Sequence, residues 1–331
     1  MVPFPMKPKV VLYHPVPQDV IDLLESHFEL THFPKVDAEN KLSFLAAVSE
    51  AHGIIGMGLP VSTLELKPAK HLKVITTISA GYDSFDVSEL NHQGVLLMNL
   101  FDPLTETTAD LAFALLMASA RRIVELDGWM RQGQWERAVS KQQFGVDIHG
   151  KTLGIVGLGR IGAAIARRGA LGCGMKVLYT ARTPKVDAEN QLGARRCSLN
   201  ELLSESDFVV VAVPLSAETT HLIGKNEFSL MKKTAIIVNI ARGAVIDENA
   251  MIEALQQGTI HGAGLDVFET EPLPASSPLI GMQNVVLAPH IGSATEETRD
   301  AMSRYAAESL IDFLVHNKVR NPVNPEVLQS P

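Results

Sequence analysis

Thr152-Leu153-Gly154-Ile155-Val156-Gly157-Leu158-Gly159-Arg160-Ile161-Gly162 decides the fold. An apolar β-like run, Thr152 to Val156, meets the triplet Gly157-x-Gly159-x-x-Gly162. An Ala-rich apolar stretch, Ile161 to Leu171, reads as the helix that follows. In a dinucleotide site each glycine has its own task. Gly157 permits the tight turn, Gly159 lets backbone N–H groups reach a pyrophosphate, and Gly162 lets the helix pack closely on the strand. The positive end of that helix faces the phosphates. A lone glycine triplet also marks ordinary turns. The strand before it and the helix after it favour a cofactor site.

The next strand, Met175 to Ala181, refines the cofactor. An NAD site carries Asp or Glu near this strand end, where the acid binds the ribose 2′-hydroxyl. Here the strand ends in Ala181, then Arg182-Thr183. A carboxylate would repel a 2′-phosphate, whereas an arginine binds one bidentately. The expected cofactor is NADPH, with NADH weaker. The plainer reading is that Arg182 only solvates a loop.

Bulk properties narrow the class. The 331 residues suffice for two domains, with 46% hydrophobic and 20% charged residues. A net charge of −8 argues against a nucleic-acid partner. No apolar run reaches the length of a bilayer span, and the N-terminus lacks the apolar core of a signal peptide. Two cysteines, Cys173 and Cys197, provide neither a disulfide framework nor a metal cluster. The expectation is a cytoplasmic protein without a metal.

Residues 9–100 alternate apolar strand-like runs with helical segments. Val10–Tyr13, Phe28–His32, Gly53–Gly58, Val74–Ser79 and Val95–Leu100 read as strands. Asp19–His27, Asn40–Ala51, Ser62–His71 and Asp83–His92 read as helices. No glycine fingerprint follows the first strand, so this is not the nucleotide domain. A second alternating series from Thr152 contains six strands: Leu153–Val156, Lys176–Ala181, Phe208–Val213, Ala235–Ile240, Gly262–Val267 and Val285–Ala288. A largely helical stretch, Thr105–Arg131, lies between the two series. A last helix, Glu296–His316, could return to the first domain. The predicted fold is α/β, with two doubly wound parallel sheets. Residues 1–102 plus 294–331 form the substrate domain, and 103–293 the Rossmann domain.

Three polar residues sit just beyond apolar strands of the second series. Arg242 follows Ile236–Ala241, Glu271 follows Gly264–Phe268, and His290 follows Val285–Pro289. The carboxyl ends of strands in an open α/β sheet line the ligand crevice. A cation, an acid and an imidazole at one edge suit proton transfer with carboxylate binding. Singly, each has a plainer reading as a turn, a surface loop or a strand cap. Jointly, beside a hydride-carrier site, the functional reading prevails. Glu269 competes with Glu271, and spacing alone does not separate them.

The motifs together resemble the D-isomer-specific 2-hydroxyacid dehydrogenases over nearly the whole chain. The resemblance is carried by Ile78-Ser79-Ala80-Gly81-Tyr82-Asp83, Gly157–Gly162, Asn239–Asp247, Gly264–Pro272 and Pro289–Thr295. It is strongest toward the glyoxylate/hydroxypyruvate and 2-ketogluconate reductase group, whose members typically prefer NADPH. It implies a flavodoxin-like substrate domain and a homodimer joined through the helical segment 105–150. It also implies that Arg242 binds the substrate carboxylate and carbonyl, that Glu271 rather than Glu269 pairs with His290, and that His290 gives the proton. The amides of Ala80 and Gly81 would hold the carboxylate, with Leu59 and Ser293 lining the substrate. On the cofactor side, the resemblance assigns Thr108, Gly157, Leu158, Gly159, Arg160, Ile161, Gly162, Arg182, Thr183, Val213, Pro214, Thr219, Ile240, Ala241, Asp266 and His290. Asp266 would bind the carboxamide.

One departure stands out. Related reductases often place a bulky aromatic shortly before the position of Phe144-Gly145 and lend it to the partner's site. This chain has Lys141-Gln142-Gln143 there. The expected activity is NADPH-dependent reduction of a small 2-oxo acid, with two domains closing over it. A cofactor-sensing corepressor of the same fold, and an NAD-dependent formate or phosphite dehydrogenase, are the alternatives.

Overall fold

The computed structural model describes residues 7–329 and divides the chain into two compact units. One comprises the chain up to Leu104 and from Ala294 onward. The other is Thr105–Ser293. Both are α/β with wholly parallel sheets.

The first unit has five strands: β1 (Lys9–Leu12), β2 (Glu29–His32), β3 (Gly53–Gly56), β4 (Val74–Thr77) and β5 (Leu96–Met98), in the order β2-β1-β3-β4-β5. This is the flavodoxin-like order. β3 and β4 are buried throughout, as strands covered on both faces must be. Helices Gln18–His27 and Lys41–Ser49 and the C-terminal helix Glu296–Leu314 belong to this unit.

The second unit has seven strands: β6 (Thr152–Val156), β7 (Lys176–Thr180), β8 (Arg195–Arg196), β9 (Phe208–Val211), β10 (Ile236–Asn239), β11 (Gly262–Leu265) and β12 (Val285–Leu287). Their order is β12-β11-β10-β9-β6-β7-β8. The order of connection reverses across the sheet between β6 and β9, the switch point beside which open α/β sheets bind ligands. Successive strand residues point to opposite faces. Val209, Val211 and Ile237 enter one core, and Phe208, Val210 and Ile236 enter the other.

Three expectations need correction. The sheet has a seventh strand, β8, whose two arginines show no apolar run. The expected helix Ser62–His71 is only a 3-10 turn, Thr63–Leu66. Lys67 keeps helical backbone, but Pro68 has no N–H to donate, so the helical hydrogen-bond ladder does not run on through it. The stretch Thr105–Arg131 is largely helical as expected, in two helices, Thr105–Ala120 and Ile123–Arg131, broken at Arg122 with φ 54°. Beyond Arg131, the segment expected to be helical to 150 holds only the short turn Lys141–Gln143. Among the described residues, no helix is long and apolar enough to cross a membrane.

Candidate active site

The glycines after β6 do what their spacing requires. Gly157 has φ +100°, and a Cβ there would meet Val213 at 2.6 Å and the Ala212 carbonyl oxygen at 2.8 Å. At Gly162 a Cβ would lie 2.3 Å from the Gly157 carbonyl oxygen, so only glycine lets the helix Arg160–Arg167 start this close to the turn. A Cβ at Gly159 would meet nothing within 4 Å. Gly159 caps that helix, and its open side is where a pyrophosphate can approach the N–H groups of Arg160 and Ile161. Leu158 is buried beneath the turn. The cradle fits a dinucleotide. Val213 stands beside Gly157 across the switch point. Pro214 begins a turn closed by Thr219, whose hydroxyl donates to the Pro214 carbonyl at 2.7 Å. Arg182 and Thr183 are exposed at the end of β7.

Arg242 leaves β10 in extended backbone, with φ −146°. Two features fix its loop. Asn239, 1% exposed at the end of β10, donates from Nδ2 to the Arg242 carbonyl (3.0 Å) and accepts the Ala241 N–H at Oδ1 (3.0 Å). Gly243 lets the loop pass against the backbone after β11, because a Cβ there would fall within 2.0 Å of the Phe268 carbonyl. Arg242 Nη1 donates to the Ala241 carbonyl at 2.7 Å. Ile240 and Ala241 are nearly buried at the same strand end.

Geometry separates the two candidate acids. Glu271 accepts the Phe268 N–H at Oε1 (3.0 Å), and its Oε2 lies 2.7 Å from His290 Nδ1. Glu269 instead meets His221 Nε2 at 2.8 Å and accepts the Glu248 N–H. The Glu271–His290 pair is partly exposed. An apolar cavity of about 470 Å³ lies beside it, lined by Phe268, Leu273, Leu287 and Pro289.

The loop holding His290 hangs on Asp266. His290 has φ 54°, a conformation that non-glycine residues adopt only when their surroundings impose it. Its N–H donates to the Asp266 carbonyl at 2.9 Å. The Asp266 carboxylate accepts the Ile291 N–H at 2.7 Å and the Gly292 N–H at 2.8 Å. Burial pushes the Asp266 carboxyl above its ordinary pKa, against the pull of these N–H bonds and of His290. The residue assigned to the carboxamide by resemblance is therefore also the anchor of the His290 loop. Thr108, buried on the helix Thr105–Ala120, stands beside Gly292. Ser293 ends the unit, half-buried.

In the first unit, Ala80 and Gly81 follow β4. Asn99 Nδ2 donates to the Ala80 carbonyl at 2.6 Å, and Ser79 Oγ donates to the Gly81 carbonyl at 2.6 Å. Among the described residues, neither the Ala80 nor the Gly81 N–H has a protein acceptor. Leu59 follows β3 and packs partly on this unit's core. Asn239, Asn99 and Ser79 escaped the sequence reading. The available signal was position: each is a polar residue at or just beyond the end of a buried strand. Among the described residues, no group of His, Cys, Asp and Glu is arranged to hold a metal.

Comparison with known proteins matches this architecture. The family model of the D-isomer specific 2-hydroxyacid dehydrogenase NAD-binding domain matches residues 113–292. A glyoxylate/hydroxypyruvate reductase B of Yersinia enterocolitica is 48% identical over 325 residues, 98% of this chain and all of that protein. Among solved structures, an NADPH-dependent glyoxylate/hydroxypyruvate reductase of Sinorhizobium meliloti in complex with NADP and malonate is 32% identical. It has a TM-score of 0.82 and covers 96% of this chain and 97% of its own. A glyoxylate reductase of Paecilomyes thermophila is 31% identical with TM-score 0.87, covering 97% and 99%. The chain belongs to the D-isomer specific 2-hydroxyacid dehydrogenases. It is an oxidoreductase that uses a nicotinamide cofactor.

Proposed function

We propose that this protein is an NADPH-dependent reductase of small 2-oxo acids, of the glyoxylate, hydroxypyruvate and 2-ketogluconate type, giving D-2-hydroxy acids. The observation that carries this reading is the edge of the seven-stranded sheet. There Arg242 and the hydrogen-bonded Glu271–His290 pair follow β10, β11 and β12 of a sheet whose glycine cradle fits a dinucleotide. The relatives' names point the same way.

A nicotinamide cofactor held by the glycine cradle would supply the hydride. The protein's residues do the rest. Arg242 offers a planar fork to the substrate carboxylate and carbonyl, with Ser293 beside the substrate. Glu271 keeps the Nδ1–H of His290 engaged, so Nε2 is the nitrogen that gives a proton to the carbonyl oxygen. In the reverse direction the same nitrogen takes it back. Fixing the substrate at one end before the proton moves confines reaction to one face.

Arg182 and Thr183 would hold the 2′-phosphate, with NADH a weaker cofactor. A homodimer through 105–150 fits the exposed apolar side chains gathered in that segment, among them Ile123, Val124, Trp135 and Phe144, each more than half exposed. A cytoplasmic setting fits two unbridged, half-buried cysteines. The testing experiment is a kinetic panel of glyoxylate, hydroxypyruvate, pyruvate and 2-ketogluconate, each with NADPH and NADH. Turnover with NADPH well above NADH is expected. No turnover of any 2-oxo acid would support the corepressor alternative.

A further inference from the structure

β8 brings a second arginine to the end of β7. Arg196 pairs in register with Tyr179, and its side chain reaches past the end of β7. Nε donates to the Ala181 carbonyl at 3.1 Å, and Nη2 donates to the Ala181 carbonyl at 2.8 Å and to the Arg182 carbonyl at 2.9 Å. The guanidinium is thus spread over the two carbonyls of the dipeptide that replaces the usual acid. Its Nη1 group has no partner among the described residues.

The neighbouring arginine behaves differently. Arg195 is ion-paired with Glu201 and Glu205, so two carboxylates surround its charge. Among the described residues, no carboxylate lies within ion-pair distance of Arg196. The loop is also tied at its far end, where the Lys185 N–H donates to the Tyr179 hydroxyl at 2.8 Å. A loop fixed at both ends, with one uncompensated guanidinium held on its carbonyls, is a preorganised anion site.

We propose that Arg196 is a determinant of cofactor choice, binding the 2′-phosphate of NADPH through Nη1 while covering the Ala181 and Arg182 carbonyls. The inference rests on the NADPH reading and deepens it. Two carbonyl oxygens facing a phosphate dianion would repel it. The guanidinium cancels those dipoles and leaves a positive face, and it holds the backbone that aims Arg182. A cation lying 14 residues beyond Arg182, on another strand, thus adds a second positive charge at the same strand end.

The test uses the full chain and equilibrium titration of NADPH and NADH, followed by protein fluorescence, with thermal unfolding as a check on the fold. Arg196→Met is expected to weaken NADPH at least about tenfold and NADH less than about twofold, because a charge-assisted contact to phosphate is lost only with NADPH. Arg196→Lys keeps the charge without the fork and is expected to fall between. The NADPH affinity of Arg196→Met is also expected to depend less steeply on salt than that of the wild type. If the wild type prefers NADPH and Arg196→Met keeps that preference, or weakens both cofactors equally, the role assigned to Arg196 is wrong. A wild type that does not prefer NADPH overturns the underlying cofactor reading as well.

Discussion

Replacing Asn239 by alanine tests how the fold positions Arg242. The Asn239 side chain is itself assigned no contact with substrate or cofactor; its polar atoms act on the backbone of the loop that carries Arg242. It accepts the Ala241 N–H and donates to the Arg242 carbonyl, both at 3.0 Å, from a site 1% exposed. Truncation leaves a donor and an acceptor without partners, each costing about 1–3 kcal/mol, so about 3 kcal/mol in all is a fair expectation. For a domain of this size that lowers Tm by about 6–12 °C. The loop is released at the residue carrying the guanidinium fork, and a displacement near 1 Å costs about 100-fold in rate. The assay pairs thermal unfolding with kcat/KM for hydroxypyruvate and with NADPH affinity by fluorescence. Expected are a lower Tm, kcat/KM down about 100-fold and NADPH affinity within about twofold. A variant that loses stability but keeps kcat/KM within about threefold of wild type would refute the link from Asn239 to Arg242.

Arg242→Lys keeps the charge but loses the fork, so kcat/KM for the 2-oxo acid should fall at least about 100-fold with NADPH affinity unchanged; equal losses in both would place Arg242 at the cofactor instead. Glu271→Gln replaces the Nδ1 acceptor of His290 by an amide of the same shape; kcat should fall about 10- to 1000-fold with little change in NADPH affinity, and an unchanged kcat would remove Glu271 from the proton path. Lys41 and then the Ser62 N–H and hydroxyl hold the Glu65 carboxyl down at about 2. A depressed carboxylate stabilises the fold above its unfolded pKa and loses that contribution as pH falls toward the folded value. Denaturant unfolding should therefore show wild type more stable than Glu65→Gln at about pH 6, with the gap closing toward about pH 2, and a gap independent of pH would contradict it.

Much of the architecture was legible because buried parallel strands are written as apolar runs. β3, β4, β9 and β10 are each buried at every position, and each was visible as such a run. The glycine triplet was legible for a related reason, since close backbone approach at Gly157 and Gly162 excludes every other residue. What stayed hidden is what distant hydrogen bonds decide. Spacing left Glu269 and Glu271, two residues apart at one strand end, unseparated; the family resemblance pointed to Glu271, and the folded loops send Glu269 to His221 and Glu271 to His290. Asn239 and Asp266 look like ordinary polar residues at strand ends until their backbone partners are seen. β8 was missed because a two-residue exposed edge strand has no hydrophobic period to read, and Arg196 was missed with it. The break at Arg122 carries neither glycine nor proline. It is held by its guanidinium, which reaches Glu125 and the Gln142 and Phe144 carbonyls.

Reaction of hydroxypyruvate with NADPH deuterated on the transferred position, followed by chiral analysis and mass spectrometry of the product, tests whether these residues direct reduction of a 2-oxo acid by NADPH on one face. The expected product is D-glycerate carrying one deuterium at C2, formed in step with NADPH oxidation by the wild type and lost in His290→Ala, which still binds NADPH. Product of L or mixed configuration, deuterium absent from C2, or undiminished turnover in His290→Ala would contradict it.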